Sequence, residues 1–207
     1  MSIKIIDING KVNGSSDIKS LLVKNPNKQC MFEQVLAQDA GQRQATVSTL
    51  TRGEVRGGGK KFRPQKGTNQ AQAGSLRASN FVGGGTNFGP KPNRNYKLYL
   101  NDKSAHLGFK SAMTVKNKDD AIFILEDTKI IKPSSKIIVK LLDALKLNGK
   151  KVLIIGNNNI NLVSSARNIN RIIAKNWSQT STKDILNASY IIIENTAIKN
   201  LEKIYKE

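Results

Sequence analysis

The 207-residue chain has one cysteine, one histidine and one tryptophan, aromatic residues make up 5% of it, and only 15 positions are acidic. Each scarcity excludes something. A lone Cys30 has no partner for an internal disulfide and suits a reducing, cytoplasmic setting. One His and one Cys cannot form a cluster at metal-ligand spacing, so no metal is expected. Aliphatic runs last only a few residues, too short to span a bilayer, and no membrane partner is expected. Met1–Ile8 carries neither a useful apolar stretch nor a small-residue cleavage site, so no signal peptide is expected.

What the chain has in abundance is positive charge: 34 Lys and Arg set the formal net charge at +19. Acidic small molecules rarely need so strong a field, whereas extended phosphate backbones do. Residues 52–97 concentrate it. They hold ten Lys/Arg against Glu54 alone, ten of the 16 glycines and three of the five prolines, with Val55, Leu76 and Val82 their only Val, Leu or Ile. Such a segment cannot bury an apolar core of its own. Its self-repulsion predicts that it becomes ordered inside nucleic acid.

The flanks read as ordinary globular sequence. Ile3–Ile8 mostly alternates before the Asn9-Gly10 turn signal and predicts a short hairpin or edge strand. Met31, Phe32, Val35, Leu36 and Ala40 fall at helical spacing, with Gly41 as the stop. Ala105, Phe109, Ala112 and Met113 mark one face of a helix within 101–116, capped by Asn101 or Asp102. Beyond it, apolar runs at 121–125, 152–155, 171–175 and 190–193 alternate with helical patterns at 135–147, 161–168 and 182–187 and a terminal helix faced by Ala197, Ile198, Leu201, Ile204 and Tyr205. That rhythm predicts a three-layer α/β/α domain on a mainly parallel sheet of about four strands. The domain organisation expected is a single one over residues 1–207, with 52–97 inserted as a long extended basic loop.

A parallel sheet invites an enzyme reading, but the residues for one are thin. Gly156-Asn157-Asn158-Asn159 follows a strand yet lacks the further glycines of a dinucleotide fingerprint, and Gly57-Gly58-Gly59-Lys60 and Gly83-Gly84-Gly85 lack phosphate-loop spacing, so no cofactor is expected. His106 lies within a predicted helix and Cys30 beside an apolar helical face, and both read as surface or packing residues. Asp119-Asp120 and Glu126-Asp127 read as caps and solvated turns, leaving a Mg²⁺ nuclease as a distant alternative. No catalytic residue is assigned.

The basic segment carries the chemistry. Arg52, Arg56, Lys60, Lys61, Arg63 and Lys66 lie within fifteen residues, interleaved with glycines that let backbone amides approach phosphate. Arg forks can bind phosphate bidentately, while Lys supplies a mobile point charge. Phe62, Phe81 and Phe88 lack apolar surroundings and suit stacking on unpaired bases or wedging into helical junctions. Composition does not separate RNA from DNA, so a regulator that binds either nucleic acid stands as the alternative.

Several irregular motifs occur in order: Glu54-Val55-Arg56-Gly57-Gly58-Gly59-Lys60-Lys61, Gln65-Lys66-Gly67-Thr68, Ala73-Gly74-Ser75, Gly83-Gly84-Gly85, Phe88-Gly89-Pro90-Lys91-Pro92 and, past the insert, Lys110-Ser111-Ala112. With them the chain resembles bacterial ribosomal large-subunit protein four over essentially its whole length. The resemblance implies a globular body on the large subunit, 23S rRNA and neighbouring ribosomal proteins as partners, a role in early subunit assembly and no obligate homo-oligomer. It also implies a loop reaching the nascent-peptide exit tunnel. It extends the rRNA-binding set to Phe62, Arg77, Lys91, Arg94 and Lys97, and places Arg63, Lys66, Gly67, Thr68, Asn69, Gln70 and Gln72 nearest the tunnel and the nascent peptide. At this tip the chain departs from the family's usual Lys-Pro-Trp-Arg-Gln-Lys-Gly-Thr-Gly-Arg-Ala-Arg: two expected arginines are Gln70 and Gln72, and Arg63-Pro64 stands in place of Trp-Arg. Fewer local phosphate contacts are expected there.

Overall fold

A computed structural model of the chain describes residues 3–126 and 132–205. It divides into two compact units, Met1–Asp39 with Tyr99–Glu207, and Ala40–Leu98. The first unit is α/β. Its strands are β1 (Ile3–Ile6), β2 (Val12–Ser16), β3 (Ile122–Leu125), β4 (Val152–Gly156), β5 (Ile172–Asn176) and β6 (Tyr190–Glu194). Its helices are α1 (Lys28–Gly41, which runs into the second unit), α2 (Asp102–Lys118), α3 (Ser135–Ala144), α4 (Ile160–Ala166), α5 (Thr182–Asn187) and α6 (Asn195–Tyr205).

All six strands form one mixed sheet in the order β2-β1-β3-β6-β4-β5. This corrects the expected count of about four strands. The N-terminal hairpin is not separate: β1 pairs antiparallel with β2 but parallel with β3, through Lys4, Ile5 and Ile6 opposite Phe123, Ile124 and Leu125. The physical reason lies in Ile3 and Ile6, both buried and each contributing to a different apolar cluster.

Alternate strand residues feed those two clusters, as the two-residue side-chain period of a strand requires. Ile122, Ile124, Leu153, Ile155, Ile191 and Ile193 pack with Phe109 and Met113 of α2, Ile185 of α5, and Ile198 and Leu201 of α6. Leu125, Val152, Ile154 and Ile192 pack with Ile138, Leu141 and Leu142 of α3 and Leu162 of α4. β4 is therefore buried along its whole length, which accounts for its unbroken Val-Leu-Ile-Ile run.

Several boundaries differ from the sequence pattern. The helix expected over 135–147 stops at Ala144, because Lys146 turns into the left-handed region (φ +55°) and so returns Leu147 to the core. In α1 only Met31 is buried, while Phe32 and Leu36 are exposed, so helical spacing there does not mark a core face. Asn101 occupies the N-cap of α2 without a side-chain cap hydrogen bond. α5 has the most complete start, a capping box in which the Ser181 and Asp184 side chains each accept from the other's backbone N–H. Burial raises the Asp184 carboxyl, but hydrogen bonds from Lys175 and Ser181 outweigh it and hold the group below its ordinary range.

Candidate nucleic-acid interface

The second unit has no strand, and no helix beyond the end of α1, among its described residues. Polar contacts take the place of an apolar core. Thr86 N donates to Leu50 O at 2.9 Å and Thr49 N to Pro90 O at 3.1 Å, so the two ends of the segment run side by side. The Lys91 ammonium bridges them, donating to Thr49 O at 3.0 Å and to the Glu54 carboxylate at 2.6 Å. With that ammonium and the Thr51 amide as donors, the Glu54 carboxyl is lowered from 4.5 to about 2. The two segments approach so closely that a Cβ at Gly85 would overlap the backbone of Arg52.

Arg77 ties the next layer. Its Nε donates to Arg56 O at 3.0 Å and its Nη1 to Gly83 O at 3.0 Å. Ser75, buried despite its polarity, accepts from Arg77 N and donates to Gly58 O, both at 3.2 Å. Farther along, Arg63 donates to Gln70 Oε1 and to Ala71 O, Lys61 donates to Gln65, and Gln65 Nε2 donates to Gln72 Oε1 at 2.8 Å. The two glutamines that stand where the family usually has arginine thus accept hydrogen bonds from Arg63 and Gln65 across the tip.

These contacts sort the predicted residues. Arg63, Arg77 and Lys91 are partly buried and use their donors within the unit. Arg52, Arg56, Lys60, Lys61, Lys66, Arg94 and Lys97 are exposed, as are Gly67, Asn69, Gln70 and Gln72, while Thr68 is half-buried. Phe62 packs edge-on against Phe81 with ring centroids 5.9 Å apart, and the Arg63 guanidinium lies 4.8 Å from its centroid. Among the described residues Phe88 has no ring or cation packed on it. It is fully exposed at φ +55°, held between the Thr86 and Pro90 anchor points, with Asn87 Nδ2 donating to Ser79 Oγ at 2.9 Å and Gly89 too close to Thr49 to accept a side chain.

Sequence reasoning missed Arg43, outside the window drawn from composition. Its guanidinium and that of Arg94 lie 4.1 Å and 4.8 Å from the Tyr96 centroid, so one ring engages two cations. It also missed Ser75, whose only signal was its place within a recurring motif.

In the first unit several of the groups weighed for chemistry are occupied locally. The His106 ring meets the Tyr205 ring edge-on at 4.9 Å, and burial raises the Tyr205 hydroxyl. At the end of β4, Asn157 N donates to the buried Glu194 carboxylate at 2.7 Å, and Asn159 caps α4 by accepting from Leu162 N. Glu126 accepts from Asn13 Nδ2 at 3.0 Å, and its sequence neighbour Asp127 lies outside the described residues. Among the described residues no three His, Cys, Asp or Glu are placed to hold a metal ion, and no helix is long and apolar enough to cross a membrane.

An α/β unit whose strand-end turn is filled by its own side chains, together with a glycine-rich unit that exposes seven of the predicted cations, defines a basic surface-binding class of protein. The chain belongs to the Ribosomal protein L4/L1 family, which it matches over residues 17–204. It is 44% identical over 200 residues to the large ribosomal subunit protein uL4 of Mycoplasmoides gallisepticum, covering 96% of each chain. It is 41% identical to the uL4 protein of Ureaplasma parvum, covering 96% of this chain and 95% of the relative, and 39% identical to that of Mycoplasma genitalium, covering 99% of each.

Proposed function

We propose that the chain is a structural, non-enzymatic constituent of the large ribosomal subunit in the cytoplasm, binding 23S rRNA and neighbouring large-subunit proteins and acting early in subunit assembly. Residues 52–97 are its main RNA-binding segment, within one domain spanning 1–207. The two apolar clusters fed by alternate strand residues support a three-layer α/β/α body. The observation that carries the reading is the division within the second unit. Arg63, Arg77 and Lys91 hold an irregular backbone together, and Arg52, Arg56, Lys60, Lys61, Lys66, Arg94 and Lys97 remain exposed for phosphate.

Residues 63–72 come nearest the exit tunnel and the nascent peptide. Their compact amides and glycines fit a crowded RNA passage, and Lys66 supplies the exposed cation. Phe88 stacks on an unpaired base, since Phe62 and Phe81 already pack with each other.

The test is binding to 23S rRNA across a salt series by a variant with Arg56, Lys60 and Lys66 changed to Gln. Each lost phosphate contact lowers the salt slope by about 0.7–0.9, so the triple variant should lose roughly two units of slope while its far-UV circular dichroism is unchanged. An unchanged slope contradicts the assignment. Retention on duplex DNA stronger than on rRNA would favour a nucleic-acid-binding regulator outside the ribosome.

A further inference from the structure

The first unit carries a second cationic surface that residues 52–97 do not supply. β6, β4 and β5 are adjacent and parallel, so the connections that enter them meet at one edge of the sheet. That edge gathers Lys150 and Lys151 before β4, Arg171 before β5, and Lys116 of α2 beside the α5–β6 turn.

Each of these cations is fixed by a neutral acceptor. Arg171 Nη1 donates to Gly149 O at 2.6 Å, Lys116 Nζ to Ala188 O at 2.6 Å, and Lys151 Nζ to Asn187 Oδ1 at 3.2 Å. Lys150 Nζ donates to Tyr190 Oη at 3.2 Å and sits 4.7 Å from that ring's centroid. Among the described residues none of the four has a carboxylate within 4.0 Å. Toward the other end of β5 the pattern reverses, with Lys175 paired to Asp184 at 2.7 Å and Lys183 of α5 paired to Asp39 at 2.6 Å. β3 is parallel to β6 and beside it, so the acids of the turn before β3, Asp119 and Asp120, stand at the same edge next to Lys116, on the far side of β6 from Lys150, Lys151 and Arg171.

The edge is also shaped. A cavity of about 120 Å³ is lined by Lys151, Val152, Arg171, Ile173, Asn187 and Ala188. Arg171 adopts φ +64°, a conformation that costs a side-chain-bearing residue and that places its guanidinium on Gly149 O. Adjacent strands stand about 4.8 Å apart, so charges across three strands cover roughly 10 Å, wider than one small anion.

From these prepositioned cations, held by neutral acceptors on the side of the edge away from the acids, we infer that the β4-β5 side of this edge is a second RNA-backbone binding surface, its ligand the phosphodiesters of rRNA and its key groups Lys150, Lys151 and Arg171. This inference rests on the reading of the chain as an rRNA-binding protein and assigns to the α/β unit a contact of its own.

The experiment compares three full-length variants on a 23S rRNA transcript across a salt series: an edge variant (K150Q, K151Q, R171Q), a control of equal charge change on the exposed faces of α3 and α6 (K136Q, K140Q, K203Q), and the R56Q, K60Q, K66Q variant. The edge variant should lose at least about tenfold in affinity at fixed salt and roughly two units of salt slope, and the control less than about twofold. K150Q, K151Q alone, which leaves the strained Arg171 backbone untouched, should show a proportionate part of the loss, so a folding defect in the triple variant cannot decide the result. Equal losses in edge variant and control would reduce the edge to a diffuse field effect and overturn the inference. Wild-type binding by the edge variant with a loss in the R56Q, K60Q, K66Q variant would overturn it while sparing the loop reading, and wild-type binding by both would overturn both. A photocrosslinker at position 151 in assembled subunits should yield rRNA, and crosslinks to an acidic protein alone would also overturn it.

Discussion

Phe88 presents the sharpest conflict between a residue and its surroundings. A bulky side chain in the left-handed region costs about 1–2 kcal/mol, and a fully exposed phenyl ring recovers none of that by burial in the free protein. The hydrogen bonds at Thr86 and Pro90 hold the backbone there regardless. F88G should therefore tighten the second unit while weakening RNA binding, since it removes both the strain and the ring. F88A should leave the fold intact and lower affinity for 23S rRNA about 5- to 160-fold, the range expected for one lost base stack of ~1–3 kcal/mol, with F88W retaining most binding. Wild-type affinity for F88A would rule the stack out. Glu54 supplies a second prediction. Its carboxyl is held near 2 against an ordinary 4.5 by Lys91 and the Thr51 amide, so the contribution of the Glu54–Lys91 bridge is complete above about pH 4.5 and lost as pH falls through about 2. E54Q should abolish that part of the acid dependence of amide protection at Glu54, Val55 and Thr86, measured by hydrogen exchange. Neither feature was legible in full from the sequence. The exposed aromatics stood out against a poor apolar background, but which of the three was free depended on the Phe62–Phe81 contact and on hydrogen bonds between residues about forty apart.

At the scale of elements, local pattern and tertiary context divide the credit. The strands β3, β4 and β6 and the helix α5 were legible because short apolar runs alternating with helical patterns are local signals. The parallel pairing of β1 with β3 was not, since strand order depends on contacts across more than a hundred residues. The exposed Phe32 and Leu36 on α1 show the converse failure, helical spacing without burial. What does seat α1 is close approach to α2. A Cβ at Gly108 would stand 2.5 Å from Gln34 Oε1 and 2.9 Å from Cys30 O. The amide can swing away, but the Cys30 carbonyl belongs to a helix backbone and cannot. G108A should therefore separate the two helices and destabilise the α/β unit by about 1–3 kcal/mol, the usual range for overpacking, despite the better helix propensity of alanine. Denaturant unfolding measures this, and a stabilised G108A protein would show that the helices yield freely.

For the whole molecule, the two units are stabilised by different physics, and that difference separates their failures. The α/β unit rests on two apolar clusters, whereas residues 40–98 rest on hydrogen bonds, one bridging lysine and close backbone contact. The sequence displayed this contrast through composition alone. It did not display that several cations of the predicted RNA-binding set, Arg63 and Arg77 above all, also hold the segment together. Deleting residues 62–73 removes the Arg63–Gln70 and Gln65–Gln72 pairs but spares the Arg77 ties, the Lys91 bridge and every cluster residue. The deletion variant should melt cooperatively within about 2 °C of the parent, because none of the ~0.7 kcal/mol per residue of unfolding enthalpy carried by the packed unit is touched. It should still enter large subunits, since Arg52, Arg56, Lys60, Arg94 and Lys97 survive. What it should lose is the approach to the tunnel. In the intact chain, photocrosslinkers at positions 63, 66 and 70 should reach 23S rRNA at the tunnel wall and, in stalled ribosomes, the nascent peptide. Crosslinks confined to the subunit exterior would show that the tip takes another path, and failure of the deletion variant to assemble at all would show that attachment depends on the tip rather than on the surfaces around it.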